Sequence, residues 1–381
     1  MTSSKWSLIW PMLLTFALTL GAAYFKYPTT HLPPSFGIFP PIQVSGTPGF
    51  SLIYFIVIAI GALAVVIFLL FPTLFGFSKP STPTPPPQTK KFPWWFYFGF
   101  VVMVFFWWLM WSNSFIFGNL VYYAFTPMWW GFILVVDGVV YFRNNSQSIL
   151  TKRPALMIIS AVFSIFGWSY FEYFDYFVLS NWYYPNGHMS ELSHMTIVII
   201  FLAAYSTVWP AVFEWYTLLN TYPKLVGRYA DGPKISINGT FLLILGAAIT
   251  FAVVFLPYLM FWGIWIGPMA LISGQLIRLQ IWNPFSELAN GNWSPAILIA
   301  LASLANGFFW EMWNYGSSHP TPVVPTNPNY WIYDIPYVNV LHFFSEMPLL
   351  GYFGYLPFGL FVWIMYIWAG KLLGFRTDLT L

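Results

Sequence analysis

The chain contains no cysteine. Disulfides, thiolate metal sites, iron–sulfur clusters and c-type haem attachment are therefore excluded within it. Charge is almost as scarce. Only 7% of the 381 residues are Asp, Glu, Lys or Arg, against about 25% in a soluble globular domain. The 14 basic and 11 acidic residues leave a net charge of +3, which offers no basic patch for nucleic acid. Dinucleotide-binding, phosphate-loop, zincin and nucleophile-elbow motifs are missing too. What is present is apolar: 59% hydrophobic residues, 23% aromatic and a mean hydropathy of +0.68. That is the composition of a polytopic membrane protein. The 22 Trp exceed what interfacial belts require. They read either as bulky filler or as the walls of a cavity for a flat or isoprenoid ligand.

A spanning helix needs about 20 mostly apolar residues. Ten such runs are readable, at 7–25, 51–75, 93–113, 119–142, 155–179, 194–219, 239–257, 258–278, 295–315 and 340–370. The fold class expected is all-α integral membrane protein: two N-terminal helices and two four-helix units. The corresponding divisions are 1–78, a Pro-rich linker at 79–92, and units at 93–222 and 236–373. With ten spans, all 14 basic residues except Lys26 fall on one side. The positive-inside rule makes that side the cytoplasm and places both termini there, in a cell membrane.

The chain shows internal similarity. Met128-Trp-Trp-Gly-Phe132 matches Met260-Phe-Trp-Gly-Ile264, and Tyr170-Phe-Glu-Tyr-Phe-Asp-Tyr176 matches Phe309-Trp-Glu-Met-Trp-Asn-Tyr315. Asn181-Trp-Tyr-Tyr184 and Asn329-Tyr-Trp-Ile-Tyr333 follow, and then Tyr205-Ser-Thr-Val-Trp-Pro210 and Tyr352-Phe-Gly-Tyr-Leu-Pro357. Four matches in one order point to a parallel duplication, with ligands expected between the units. The run Trp310-Glu-Met-Trp-Asn-Tyr315, with Trp331-Ile-Tyr-Asp-Ile-Pro336 and Glu346-Met-Pro-Leu-Leu-Gly-Tyr-Phe-Gly-Tyr-Leu-Pro-Phe358, resembles uncharacterised prokaryotic integral membrane proteins. The resemblance covers roughly the second unit. It implies a family and carries no activity.

Ionisable residues within spans are functional candidates by default. Glu172 and Asp175 lie towards the outer end of the fifth span, and Glu311 and Asn314 hold the equivalent places on the ninth. Glu191-x-x-His194 and His342-x-x-x-Glu346 read as same-face pairs opening the sixth and tenth spans. A Pro-rich loop between the ninth and tenth spans reads as a lid. Trp182, Trp310 and Trp331 are the expected aromatic wall. Asp137 and Glu214 lie nearer the cytoplasmic side, as steps of a proton path or as acids bonded to neighbouring helices.

These residues allow several chemistries. His–carboxylate pairs beside aromatic rings suit a quinone, whose reduced form must release protons. Two imidazoles on different helices meet the minimum for one haem b. Four-helix Glu and His sets can hold a metal pair, here Glu191, His194, His342 and Glu346. The leading expectation is a quinone- or isoprenoid-lipid-binding subunit of a respiratory electron-transfer complex, with membrane lipids and other subunits as partners. The alternatives are an isoprenoid-lipid enzyme with Glu172 or Glu311 as general acid, and a secondary transporter.

Overall fold

The computed structural model describes residues 5–42, 46–78, 88, 91–178 and 181–381. Most of the Pro-rich linker, with Lys79 and Lys90, lies outside them. Helices of ten or more residues are α1 (Lys5–Lys26), α2 (Leu52–Leu70), α3 (Trp94–Ser112), α4 (Phe125–Arg143), α5 (Pro154–Asp175), α6 (His194–Tyr205), α7 (Val208–Asn220), α8 (Gly239–Phe255), α9 (Gly263–Arg278), α10 (Ser294–Gly316) and α11 (Tyr355–Leu373). Among the described residues, eight segments are long and apolar enough to cross a membrane, α6 and α7 counting as one. They define a multi-pass membrane protein. The other two helices, α8 and α9, have 17 and 16 residues. At 1.5 Å per residue each is about 25 Å long, against a hydrocarbon core of about 30 Å.

Lipid supplies no hydrophobic force between helices, so close approach depends on small residues. Two hairpins use it. A Cβ on Gly131 of α4 would lie 2.6 Å from the Met103 backbone nitrogen of α3. One on Gly246 of α8 would lie 2.3 Å from the Leu271 nitrogen of α9. The backbones touch at both places. Between the hairpins, α5, α7, α10 and α11 form the centre, where Trp209, Trp313, Trp363 and Tyr366 are fully buried. Helix α1 is tied to this body by Gln275 Nε2 on the Ser7 carbonyl (2.9 Å) and Trp368 Nε1 on the Leu8 carbonyl (2.6 Å). At its other end, Lys26 Nζ donates to the Val254 carbonyl at 2.5 Å.

Helix α2 stands apart. Ala62 is its one buried residue. It is tied near its ends, where Ser51 N donates to the Tyr337 carbonyl (3.1 Å) and Tyr229 Oη to the Leu69 carbonyl (2.7 Å).

Several spans differ from the expected ones, each for a local reason. The 51–75 run stops at Leu70 and continues as a 3-10 turn from Pro72 to Phe75. The 194–219 run divides at Ser206–Thr207. Pro210 has no N–H for the Ser206 carbonyl and its ring crowds that carbonyl, so the helix cannot run through unbroken. The 239–257 and 258–278 runs form two separate helices as expected, the second starting only at Gly263. The 340–370 run becomes helical only at Tyr355, after a 3-10 turn from Leu349 to Gly354. Before it, Leu341 and Phe344 have positive φ angles (62° and 49°), which helical residues do not adopt. His342 pairs with Pro348 in an isolated β-bridge.

Two short strands form the sheet among the described residues. β1 (Trp182–Tyr183) pairs antiparallel with β2 (Ile332–Tyr333), Trp182 opposite Tyr333 and Tyr183 opposite Ile332. They join the loop after α5 to the loop after α10.

Candidate ligand-binding cavity

Glu172 and Glu311 anchor the site. Each lies about 26 Å along its helix, counted at 1.5 Å per residue from Pro154 and from Ser294. Both side chains are buried. Glu172 Oε1 accepts hydrogen bonds from Tyr184 Oη (2.5 Å), Tyr205 Oη (3.0 Å) and Trp168 Nε1 (2.9 Å). Glu311 Oε1 accepts from Tyr355 Oη (2.5 Å) and Tyr333 Oη (2.8 Å). Trp331 Nε1 in turn donates to Tyr333 Oη at 2.9 Å. Among the described residues, no hydrogen-bond partner meets the second oxygen, Oε2, of either carboxyl within bonding geometry.

The four tyrosines line one cavity of about 430 Å³, a volume typical of small-molecule sites. Trp168, Trp182, Trp265, Trp310, Trp331 and Phe358 wall it as well. Phe358 sits between Trp168 and Trp310, its ring centroid 6.0 Å from each. Trp182 stacks on Trp265 at 5.9 Å. Thr207, at the break between α6 and α7, also faces the cavity. Among the described residues, no Lys, Arg, Asp or Glu is in the lining. Ile58 of α2 lines it too, so one wall is a helix with little burial of its own.

The strands hold the roof. Side chains alternate along a strand, so Trp182 and Tyr184 share a face, as do Trp331 and Tyr333. All four meet the cavity. Asp175 and Asn314 fix the strands. Trp182 N donates to Asp175 Oδ1 at 3.4 Å, and Trp331 N to Asn314 Oδ1 at 3.0 Å. The Pro-rich loop after α10 contributes Trp331, Tyr333, Ile335 and Val338 to the cavity wall.

The expected site residues therefore divide. Glu172, Glu311, Trp182, Trp310 and Trp331 gather at the cavity, with Asp175 supporting Trp182. Glu191, His194 and His342 are exposed and are not among the lining residues. Helix α6 begins at His194 with Ser193 as its cap, so Glu191 precedes the helix and shares no face with His194. His194 Nε2 lies 2.8 Å from the Phe39 carbonyl. His342 and Glu346 occupy irregular chain, so the same-face spacing expected of them does not apply. Glu346 Oε1 instead accepts from Tyr330 Oη at 2.5 Å and lies 3.5 Å from His319 Nδ1. Burial, with the Glu346 carboxylate beside it, pushes the Tyr330 hydroxyl above the ordinary tyrosine range. No group of three or more His, Asp or Glu converges as a metal site among the described residues.

Asp137 and Glu214 are buried near one another and are not among the residues lining the cavity. Trp95 Nε1 and Leu150 N donate to Asp137 at 2.9 and 3.0 Å. Thr217 Oγ1 donates to Glu214 Oε2 at 3.4 Å.

Tyr184, Tyr205, Tyr333 and Tyr355 were not singled out by the sequence reading. For two of them a signal lay in the repeat: Tyr184 and Tyr333 each follow a matched Trp by two residues.

Fold and cavity together describe a helical membrane protein with an aromatic cavity. No family model matches the chain, and no curated protein or solved structure matches it either.

Proposed function

We propose that the chain binds a quinone or another isoprenoid lipid in the aromatic cavity, as the membrane subunit of a respiratory electron-transfer complex. One observation carries the reading: a cavity of about 430 Å³ walled by indoles and phenols, with two buried glutamates each held by two of its tyrosines. Rings suit the flat faces and apolar tail of such a ligand. The carboxyl–phenol pairs suit its polar oxygens.

In this reading α8 and α9 also cross, giving ten passes. The basic loops mark the cytoplasmic side, and the cavity lies in the outer half. Residues 93–222 and 236–373 are parallel repeats. Two glycine-packed hairpins, two glutamates with paired tyrosines and two strand-holding residues support that correspondence. It realigns two of the sequence matches. Gly131 and Gly138 correspond to Gly267 and Gly274 by their packing, one helical turn from the Met260 match. Tyr205 corresponds to Tyr355 rather than Tyr352, since both bond to a glutamate.

Organic extraction of the purified protein followed by mass spectrometry tests the proposal. A stoichiometric quinone or isoprenoid lipid is expected. Its absence from protein purified in mild detergent, with no rebinding of added quinone or isoprenoid, would sink it.

The break at Ser206–Thr207 favours a second reading. Transporters bind substrates on interrupted helices, and this interruption faces the cavity. Solute flux in proteoliposomes, blocked by closing the cavity, would support transport over lipid binding.

A further inference from the structure

The polar groups of the cavity come in two matched sets. Tyr183 and Ile332 face each other in the ladder. They are the middle residues of Trp182-Tyr-Tyr184 and Trp331-Ile-Tyr333. A two-fold axis through that pair exchanges Trp182 with Trp331 and Tyr184 with Tyr333. The same exchange relates Glu172 to Glu311 and Tyr205 to Tyr355, because each glutamate takes both of its tyrosines on Oε1. All four tyrosines face one chamber.

We propose that the cavity takes one para-quinol ring, with each of its two opposed hydroxyls donating to a tyrosine oxygen of the pair held by one glutamate. The proposal rests on the lipid-binding reading and narrows it. An isoprenoid alcohol carries its polar group at a single end and leaves one tyrosine pair unused. An isoprenoid phosphate needs cations, and the lining residues include no Lys or Arg. A ring with two opposed oxygens uses both sets. Each tyrosine gives its hydrogen to a carboxyl and keeps oxygen lone pairs, so a quinol donates to both sides without any change in the internal bonds. The two glutamates are therefore parts of one site, and one ligand binds per chain.

The experiment uses the full-length chain in lipid nanodiscs, with quenching of its tryptophan fluorescence as the readout. The probes are a decyl-tailed para-benzoquinol, the decyl-tailed phenol lacking one hydroxyl, and farnesol. The benzoquinol is expected to bind at least about tenfold tighter than the phenol, a difference of about 1.4 kcal/mol. Tyr184→Phe with Tyr205→Phe empties one side, and Tyr333→Phe with Tyr355→Phe empties the other. Either pair should weaken the benzoquinol about tenfold and the phenol less than twofold, since the phenol moves to the intact side. Equal binding of benzoquinol and phenol by the unaltered chain would overturn the proposal, and this comparison needs no variant. Loss of benzoquinol binding from one side only would overturn it as well. Farnesol binding without benzoquinol binding overturns this inference and leaves the lipid reading standing. Binding of none of the three removes both.

Discussion

Asn314 holds the backbone of Trp331 at both polar atoms. Its Nδ2 donates to the Trp331 carbonyl at 2.7 Å, and its Oδ1 accepts from the Trp331 amide at 3.0 Å. The side-chain amide thus acts as a neighbouring strand would. Asp175, an acceptor only, takes the Trp182 amide on Oδ1 and cannot donate to a carbonyl. Asn314→Ala should cost about 1–3 kcal/mol by leaving buried backbone groups unpaired, and it should weaken ligand binding by loosening the roof. Asp175→Asn should leave stability unchanged or raise it, because the new amide can donate to the strand. Thermal unfolding in detergent checks both, and a large loss from Asp175→Asn would contradict the strand-holding role.

Glu311→Leu should be more damaging than Glu311→Gln. Leucine leaves the Tyr333 and Tyr355 hydroxyls without their acceptor, at about 1–3 kcal/mol for each buried group. Glutamine keeps an oxygen where Oε1 stands. Parallel unfolding curves and retention of extracted lipid give the comparison, and the same order is expected at Glu172.

Ile58→Trp should slow the entry of a tailed ligand while leaving the fold intact. Ile58 lines the cavity, yet α2 buries little of itself and is secured near its ends. A ligand arriving from the bilayer would pass beside the middle of this helix. Stopped-flow fluorescence should show a several-fold lower association rate. An unchanged rate would place the entrance elsewhere.

Asp137 should matter structurally. It accepts from Trp95 Nε1 and from the Leu150 amide, joining α3, α4 and the turn before α5. Asp137→Ala should cost about 1–3 kcal/mol, and Asp137→Asn clearly less because one acceptor survives. Equal losses would argue that the charge matters and not the bonds.

The C-terminal tail should loosen in acid. Partial burial pushes the Asp378 carboxyl up. Its bonds to Arg376 and Thr380 and the Arg153 charge outweigh that and hold it below the usual carboxylate range. A carboxyl depressed in the folded state stabilises above its unfolded pKa, about 3.9, and that stability is lost as pH falls through the lower folded value. Arg153 also donates to the Asp378 carbonyl. Limited proteolysis should therefore cut the tail faster below about pH 4 than at pH 7, and Asp378→Asn should reproduce this at pH 7. Only about 0–1 kcal/mol is involved, as for other partly exposed ion pairs.

The positions of the helices were legible because each apolar run is long and its ends carry Lys, Arg, Pro or Gly. The carboxylates were legible because charge is rare here: Glu172 and Glu311 stand out on their helices. Tyrosine does not. Among 24 tyrosines no local pattern marks Tyr205 or Tyr355, and what selects them is the packing of α6 and α11 against distant glutamates. The histidine pairs misled for the opposite reason. Their spacing suited a helix, but Ser193 starts α6 only after Glu191, and Pro348, Gly351 and Gly354 delay α11 until Tyr355. Spacing has angular meaning only where the backbone is helical.

The two glycine-packed hairpins bear on how the chain is built. Each closes backbone against backbone within its own pair of helices, so it can enter the bilayer as a finished piece. The cavity has no such independence. Its tyrosines, strands and glutamates come from two stretches, 172–205 and 311–355, and β1 must wait for β2 to be synthesised. The chamber is thus completed late in biogenesis, once the segment carrying β2 has been made.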